Sequence, residues 1–339
     1  MNNVSFMAVN QRSDQFSPTF LLSIFTTMVR IRRFEETVAG LISAGRILCP
    51  CHLYIGQEAV ASGVCAALGN DDWVFSTHRS HGHFIAKGGN IRSMMAELFG
   101  KDTGCSRGHG GSMHIADPEK GLPGSSAIVA GTISLAVGAG LAFSLRKKNS
   151  ISVAFFGDGA TNEGGFFESL NFAALHKIPM IFVCENNLFS THMPIDKCLS
   201  NTRICEIAQA FKISSIRVDG NNPLDVYQAT LRGIERIREG QGPIFIECMT
   251  YRWLGHVGQN DDIDTGLRTK TELDSWIARC PIENLWNYLS FHGFVAESQR
   301  KTIYEQIDLE IQKAVEFAEL SSYPDPEDSG SHVTVYKES

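Results

Sequence analysis

The sequence predicts an α/β fold: a mainly parallel sheet flanked by helices, with a helical C-terminal region. Three observations carry that expectation. The stretch Ile151–Phe189, ISVAFFGDGATNEGGFFESLNFAALHKIPMIFVCENNLF, reads as strand, turn, helix, strand, turn. Two more short apolar runs, Ile216–Asp219 and Pro243–Thr250, have strand character, with a helical pattern over about Asp225–Arg238 between them. From Thr269 to about Leu320 the periodicity is helical, broken at Pro281 and around Gly293.

The first of these units organises the rest. Ile151–Phe156 is a short apolar run stopped by Gly157-Asp158-Gly159. Thr161 or Asn162 can cap a helix whose Phe166, Phe167, Leu170, Ala173 and Ala174 fall at helical spacing. Pro179 restarts an apolar run, Met180–Cys184, which ends at Glu185-Asn186-Asn187. A strand–helix–strand unit of this kind crosses over right-handed and makes its strands parallel. Both acid-amide turns then lie at the carboxyl ends of strands, where open parallel sheets bind ligands. Asp158 and Asn187 become neighbours there, with the Phe189 carbonyl close by. Such hard oxygens suit magnesium (Mg2+), which keeps water and completes its octahedron with phosphate oxygens. Gly157 and Gly159 let the backbone approach a phosphate, and a helix start behind them favours negative charge. From spacing alone, a metal–phosphate site and a tight turn with a polar cap fit equally well.

The whole chain narrows the classes. Its 339 residues are 43% hydrophobic, ample for a core, and include 31 glycines, which points to many tight turns. A net charge of −7 without a basic block argues against nucleic acid or an anionic membrane surface. There is no apolar run of about 18 residues, hence no membrane span. The start MNNVSFMAVNQRSDQF lacks secretory and transit character, so a cytoplasmic protein is expected. Nine cysteines without a C-x-x-C spacing suit reduced thiols; Cys49 and Cys51 form only a C-x-C. One domain over 18–320 is expected, between a polar extension (1–17) and a tail (321–339).

Ser17-Pro18 starts a helix that ends near Gly45, whose Arg30, Arg32, Arg33, Glu35 and Glu36 read as a solvated or subunit-facing side. CHLYIGQEAV (Cys51–Val60) leads into an apolar helix to about Leu68. In STHRSHGHFIAKGG the glycines suggest a loop, and His78, His81 and His83 read as structural histidines or anion ligands; a zinc site lacks further ligands in register. Ile91–Phe99 is helical. The following GCSRGHGGSMH (Gly104–His114) is a weak phosphate signal that matches neither nucleotide fingerprint. The small-residue stretch Thr132–Arg146 is a helix suited to close packing at a subunit interface. Another helix starts near Ile204. Asp261, Asp262 and Asp264 read as a solvated acidic loop, since too few ligands follow for a calcium site. Thr269-x-x-Glu272 is a capping box.

GDG followed after a helix by ENN, together with CHLYIGQEA, THRSHGH, GSMH and GHV in that order, resembles the alpha subunit of the thiamine diphosphate-dependent component of 2-oxo acid dehydrogenase complexes, the pyruvate and acetoin dehydrogenase family. The resemblance runs from about Met28 to the end of the chain. THRSHGHFIAKG and GSMHIAD resemble its acetoin branch. It implies a thiamine diphosphate-binding fold, with Asp158, Asn187 and the Phe189 carbonyl on the metal. It also implies Gly157, Gly159, Ala160, His78, Arg79 and Arg252 around the cofactor, whose diphosphate suits the planar fork of arginine. The main chain at Ala127 and Val129 is implied to hold the aminopyrimidine, and His52 and His256 to be catalytic histidines with pKa values near working pH. The glutamate that activates the cofactor is implied to come from a separate beta subunit, in a heterotetramer of two alpha and two beta subunits. The acyl group then passes to a lipoyl-bearing acyltransferase.

Four departures from that pattern stand out: Ala127 for glycine, Phe189-Ser190 for an aromatic-glycine pair, Val257 for a phosphorylatable serine, and NDDID for a serine-proline loop. Besides a dehydrogenase acting on a small 2-oxo acid or acetoin-like substrate, two readings are carried forward. One is transketolase-like acyl or ketol transfer to another acceptor in a biosynthetic pathway; the other is a non-catalytic interaction subunit.

Overall fold

A computed structural model describes residues 16–327. Most of the expected N-terminal extension, and the tail beyond residue 327, lie outside the described residues. Helix α1 (Pro18–Ser43) opens as the sequence suggests: Ser17 Oγ accepts the Phe20 amide at 3.2 Å, and proline occupies the first turn. Then come α2 (Glu58–Ala67), β1 (Trp73–Ser76), α3 (His81–Ala86), α4 (Ile91–Leu98), the two-residue β2 (Gly124–Ser125) and α5 (Gly131–Leu145). The central unit is β3 (Ser152–Gly157), α6 (Gly164–Leu175) and β4 (Met180–Asn186). A small hairpin of β5 (Phe189–Ser190) and β6 (Met193–Pro194) precedes α7 (Ile195–Cys198), α8 (Ile204–Ala210), β7 (Ser214–Asp219), α9 (Pro223–Arg238) and β8 (Ile244–Met249). Three helices finish the described chain: α10 (Lys270–Ile277), α11 (Pro281–Phe291) and α12 (Glu297–Leu320). Among the described residues no helix is long and apolar enough to cross a membrane.

Six strands form one parallel sheet in the order β2-β1-β3-β4-β8-β7. Alternation along the strands feeds two cores. Val153, Phe155, Ile181, Val183, Ile244 and Ile246 pack with α1, α2, α4, α9, α11 and α12 on one face. Ala154, Phe156, Phe182, Cys184 and Phe245 pack with α5, α6 and α8 on the other. All strands run the same way, so their carboxyl ends share one edge.

Several expectations need correction. His81–Ala86 is helical, not a loop. Gly82 is there because the Tyr54 ring lies where a Cβ would stand, 2.3 Å from its Cδ1. Neither Thr161 nor Asn162 caps α6: Asp158–Asn162 forms a single 3-10 turn, and the Thr161 hydroxyl donates back to the Asp158 carbonyl at 2.7 Å. Nor is the charged side of α1 uniformly solvated. Arg32 and Glu35 are buried; Arg32 pairs with Glu58 at 2.6 Å, and Glu35 accepts the Tyr54 amide at 2.8 Å.

The Arg32–Glu58 pair ties α1 to α2, and the same Glu58 oxygen also accepts the Gly56 amide at 3.0 Å. Removing the cation alone strands a buried carboxylate. Arg32→Met is expected to cost about 3–5 kcal/mol, read as a lower urea midpoint, whereas Arg32→Met with Glu58→Leu recovers most of it.

Candidate active site

Four strand ends and two loops converge on a cleft of about 170 Å³ that opens to solvent. Strand β1 delivers Thr77, His78 and Arg79; β3 delivers Gly157, Gly159 and Ala160. Strand β4 delivers Asn187 and Phe189, while β8 delivers Arg252 and His256. The loop before α2 brings His52, and the segment before α5 brings Ala127 and Val129. Every residue that the resemblance places at the metal, the cofactor or the catalytic histidines lines this cleft except Asp158, which is buried between Gly157 and Gly159.

Asp158 Oδ1 accepts the Asn187 backbone amide at 3.2 Å, so the two turns do touch. The other carboxylate oxygen, Oδ2, is buried without a partner. Burial raises the Asp158 carboxyl from its usual 3.8 to about 6. Asn187 is held by Gln57, whose Oε1 accepts from Nδ2 at 3.1 Å; this fixes which way the amide oxygen points. A Cβ on Gly159 would lie 2.5 Å from Ser190 Oγ, whereas one on Gly157 would meet nothing within 4 Å. Gly159 is therefore needed for packing, and Gly157 leaves room for a ligand.

Three imidazoles face one another, with ring centroids 4.5 Å apart for His52–His78, 4.8 Å for His52–His256 and 5.4 Å for His78–His256. Burial first, then the charge of Arg79, holds His52 and His256 down at about 3 and His78 at about 2. The expected pKa values near neutrality are not met; these rings are neutral in the unliganded chain. Arg79 spans the site, donating to the Leu53 carbonyl at 2.6 Å and the His256 carbonyl at 3.0 Å. Arg252 donates one bond, to the Thr191 carbonyl at 2.9 Å, and leaves Nε and one terminal nitrogen buried without acceptors. Burial and neighbouring arginines lower both guanidiniums, Arg79 to about 9 and Arg252 to about 10.

The histidine cluster seen in sequence is dispersed. Only His78 faces the cleft. His81 bonds Glu35 at 3.0 Å and Ser112 at 2.8 Å, and His83 bonds Ser76 at 2.7 Å and Glu185 at 3.1 Å. The glycine-rich loop already holds an anion of its own: Glu97 accepts four backbone amides, from Ser106, Gly108, Gly110 and Gly111. The acidic loop is not simply solvated either, because Asp262 Oδ2 accepts the His256 amide at 3.2 Å.

Sequence reasoning passed over Gln57, Glu185 and Arg268. Gln57 stands inside the quoted CHLYIGQEAV motif, and Glu185 opens ENN. Glu185 lines the cleft and accepts from the Tyr54 hydroxyl as well as from His83. Arg268 donates to the Arg252 carbonyl at 2.5 Å and to those of Trp253 and Asp261. Nothing in its sequence surroundings flags it.

An orphaned carboxylate oxygen below the cleft and unmatched arginine donors within it fit a divalent cation bound to an anionic ligand. The fold and site thus define an open parallel α/β protein whose carboxyl edge carries a cleft suited to an anionic ligand and a cation. The sequence matches the family model of the dehydrogenase E1 component over residues 26–327, and the chain belongs to that thiamine diphosphate-dependent family. It is 43% identical over 304 residues to the alpha subunit of acetoin:2,6-dichlorophenolindophenol oxidoreductase from Bacillus subtilis, covering 89% of this chain and 90% of the relative. The corresponding subunit of Cupriavidus necator is 38% identical over 309 residues, covering 91% and 92%. The pyruvate dehydrogenase E1 component subunit alpha of Porphyra purpurea is 39% identical over 311 residues, covering 90% of each chain.

A carboxyl whose folded pKa is raised costs stability as pH climbs from its unfolded value through its folded one. Asp158→Asn is expected to leave the unliganded chain's stability unchanged near pH 4. Above pH 6 it is expected to raise it by up to about 3 kcal/mol, read by urea unfolding at both pH values.

Proposed function

We propose that this chain is the alpha subunit of a thiamine diphosphate- and magnesium-dependent dehydrogenase acting on a small 2-oxo acid or acetoin-like substrate. The observation that carries this reading is Asp158 Oδ2, buried and unpartnered beside Asn187 at the edge where β3 and β4 end. Asp158, the Asn187 amide oxygen and the Phe189 carbonyl would hold the magnesium. Gly157, Gly159 and Ala160 would border the diphosphate, with Arg252, His78 and Arg79 as donors toward it. The main chain at Ala127 and Val129 would hold the aminopyrimidine. When bound, thiamine diphosphate supplies a carbon nucleophile that also serves as an electron sink for cleavage next to a carbonyl.

The chain's own groups set the conditions for that chemistry. Neutral His52 and His256 can donate hydrogen bonds to a substrate carbonyl without standing charge. Burial, and then the Arg79 guanidinium, keeps them so, and Arg79 joins the loops that carry them. Among the described residues lining the cleft the one carboxylate is Glu185, and it is engaged by Tyr54 and His83. An activating glutamate therefore has to arrive from elsewhere, which supports a beta partner in a heterotetramer. Exposed apolar side chains on α5 and α6 offer that partner a surface: Leu135, Leu145, Phe172 and Leu175. Relatives named for acetoin and for pyruvate are similarly identical to the chain, so the substrate is proposed as a class.

Co-expression with the matching beta subunit is expected to give an assembly that transfers an acyl group to a lipoyl acyltransferase domain. Cofactor binding without lipoyl acylation would favour transfer to another acceptor; no cofactor binding would leave an interaction subunit. In the same assembly Asp158→Ala should keep the fold but lose about 3–5 kcal/mol of magnesium-dependent cofactor binding, roughly two to four decades in Kd by calorimetry.

A further inference from the structure

Cys49 and Cys51 flank Pro50 and run directly into His52. Their Sγ atoms stand 3.8 Å apart, Cys49 half-buried and Cys51 buried. We propose that these two thiols form a peroxide-responsive switch that closes to a disulfide and disables the cleft. The effect on turnover rests on the function proposed above; the thiol chemistry does not.

Geometry and chemistry divide the labour between the sulfurs. Cys49 is the more reachable one, half-buried where Cys51 is buried, and its contact with Cys51 holds it below the usual thiol range, with help from Ser112 and His81 against the opposing effect of burial. The thiolate is the form that attacks peroxide. Cys51 is driven the other way by its bond to Cys49 and by burial, and stays a thiol. Cys49 sulfur attacks one peroxide oxygen, the O–O bond breaks and water leaves, giving a sulfenic acid. Cys51 sulfur then attacks the Cys49 sulfur, the S–O bond breaks and a second water leaves. In sum, two thiols and one hydrogen peroxide give one disulfide and two waters, with two electrons passing from sulfur to oxygen.

Closing 3.8 Å to about 2.05 Å across a single intervening residue must pull the 49–51 backbone inward. That backbone carries the site. The Cys51 carbonyl accepts the Gly258 amide at 2.9 Å, two residues beyond His256, and His52 follows immediately with its ring against His78 and His256. Oxidation therefore displaces two histidine loops together. In a reducing compartment the pair rests open.

The test treats the assembled alpha–beta enzyme with hydrogen peroxide, blocks remaining thiols and maps peptides by mass. Expected are a loss of two hydrogens within Cys49–Cys51, reversal by dithiothreitol, and most of the activity lost and regained in step. Backbone deuterium uptake should also rise at His52–Gln57 and Trp253–Gly258, a readout that needs no turnover. Cys49→Ser and Cys51→Ser should each retain activity in peroxide. The proposal is overturned by sulfinic acid at Cys49 with Cys51 still free, by a disulfide that leaves deuterium uptake unchanged, or by Cys49→Ser losing activity as fast as the parent.

Discussion

Gly157 stands opposite Glu185 in the parallel ladder between β3 and β4, and that register brings Asp158 against Asn187. Both faces of these strands are apolar, so side-chain alternation resists a slip less firmly than in a half-solvated sheet. The strand entries help to hold it instead. Asp72 accepts the Ile151 amide at 2.8 Å with one oxygen and the Gly69 amide at 2.7 Å with the other. The Ser152 amide then binds the Pro179 carbonyl at 3.1 Å. With the beginnings pinned, the ends fall where the ligand needs them.

Charge in the cleft is arranged against the stability of the unliganded chain. Two arginines depressed by burial and then by a neighbouring arginine, Arg252 for Arg79 and Arg268 for Arg252, face three histidines kept neutral by burial and then by Arg79. Asp158 sits below them, destabilised by the same burial. Each group is in the state that a dianion and a divalent cation would relieve. Arg268 adds a fourth layer: its donors hold the carbonyls of Arg252, Trp253 and Asp261, so the loop from β8 to α10 is shaped before any ligand arrives.

Much of this was legible from the residues. The strand–helix–strand unit, the breaks at Pro281 and Gly293 and the start of α1 follow from local chemistry that tertiary packing does not overrule. The central pairing of Asp158 with Asn187 was legible because parallel crossover geometry is so constrained. What escaped depended on contacts between distant segments. Gly82 looked like a loop signal until Tyr54 was placed over it; Glu35 looked solvated until Tyr54 and His81 came to meet it. Histidine pKa values near neutrality assumed solvent, and the fold supplied burial and Arg79 instead. Arg268 and Gln57 act on backbone and on another side chain, and such roles leave no spacing to read.

Among the described residues, donors converge both around Glu97 and in the cleft, and the fold treats these two places oppositely. Around Glu97, four loop amides close on an internal carboxylate, and each of the four is matched. In the cleft, Arg252 keeps two nitrogens and Asp158 keeps one oxygen unmatched, although both are buried. An unsatisfied buried polar atom costs about 1–3 kcal/mol, more when charged. The groups left open around the cleft are the ones that a bound anion and cation would match.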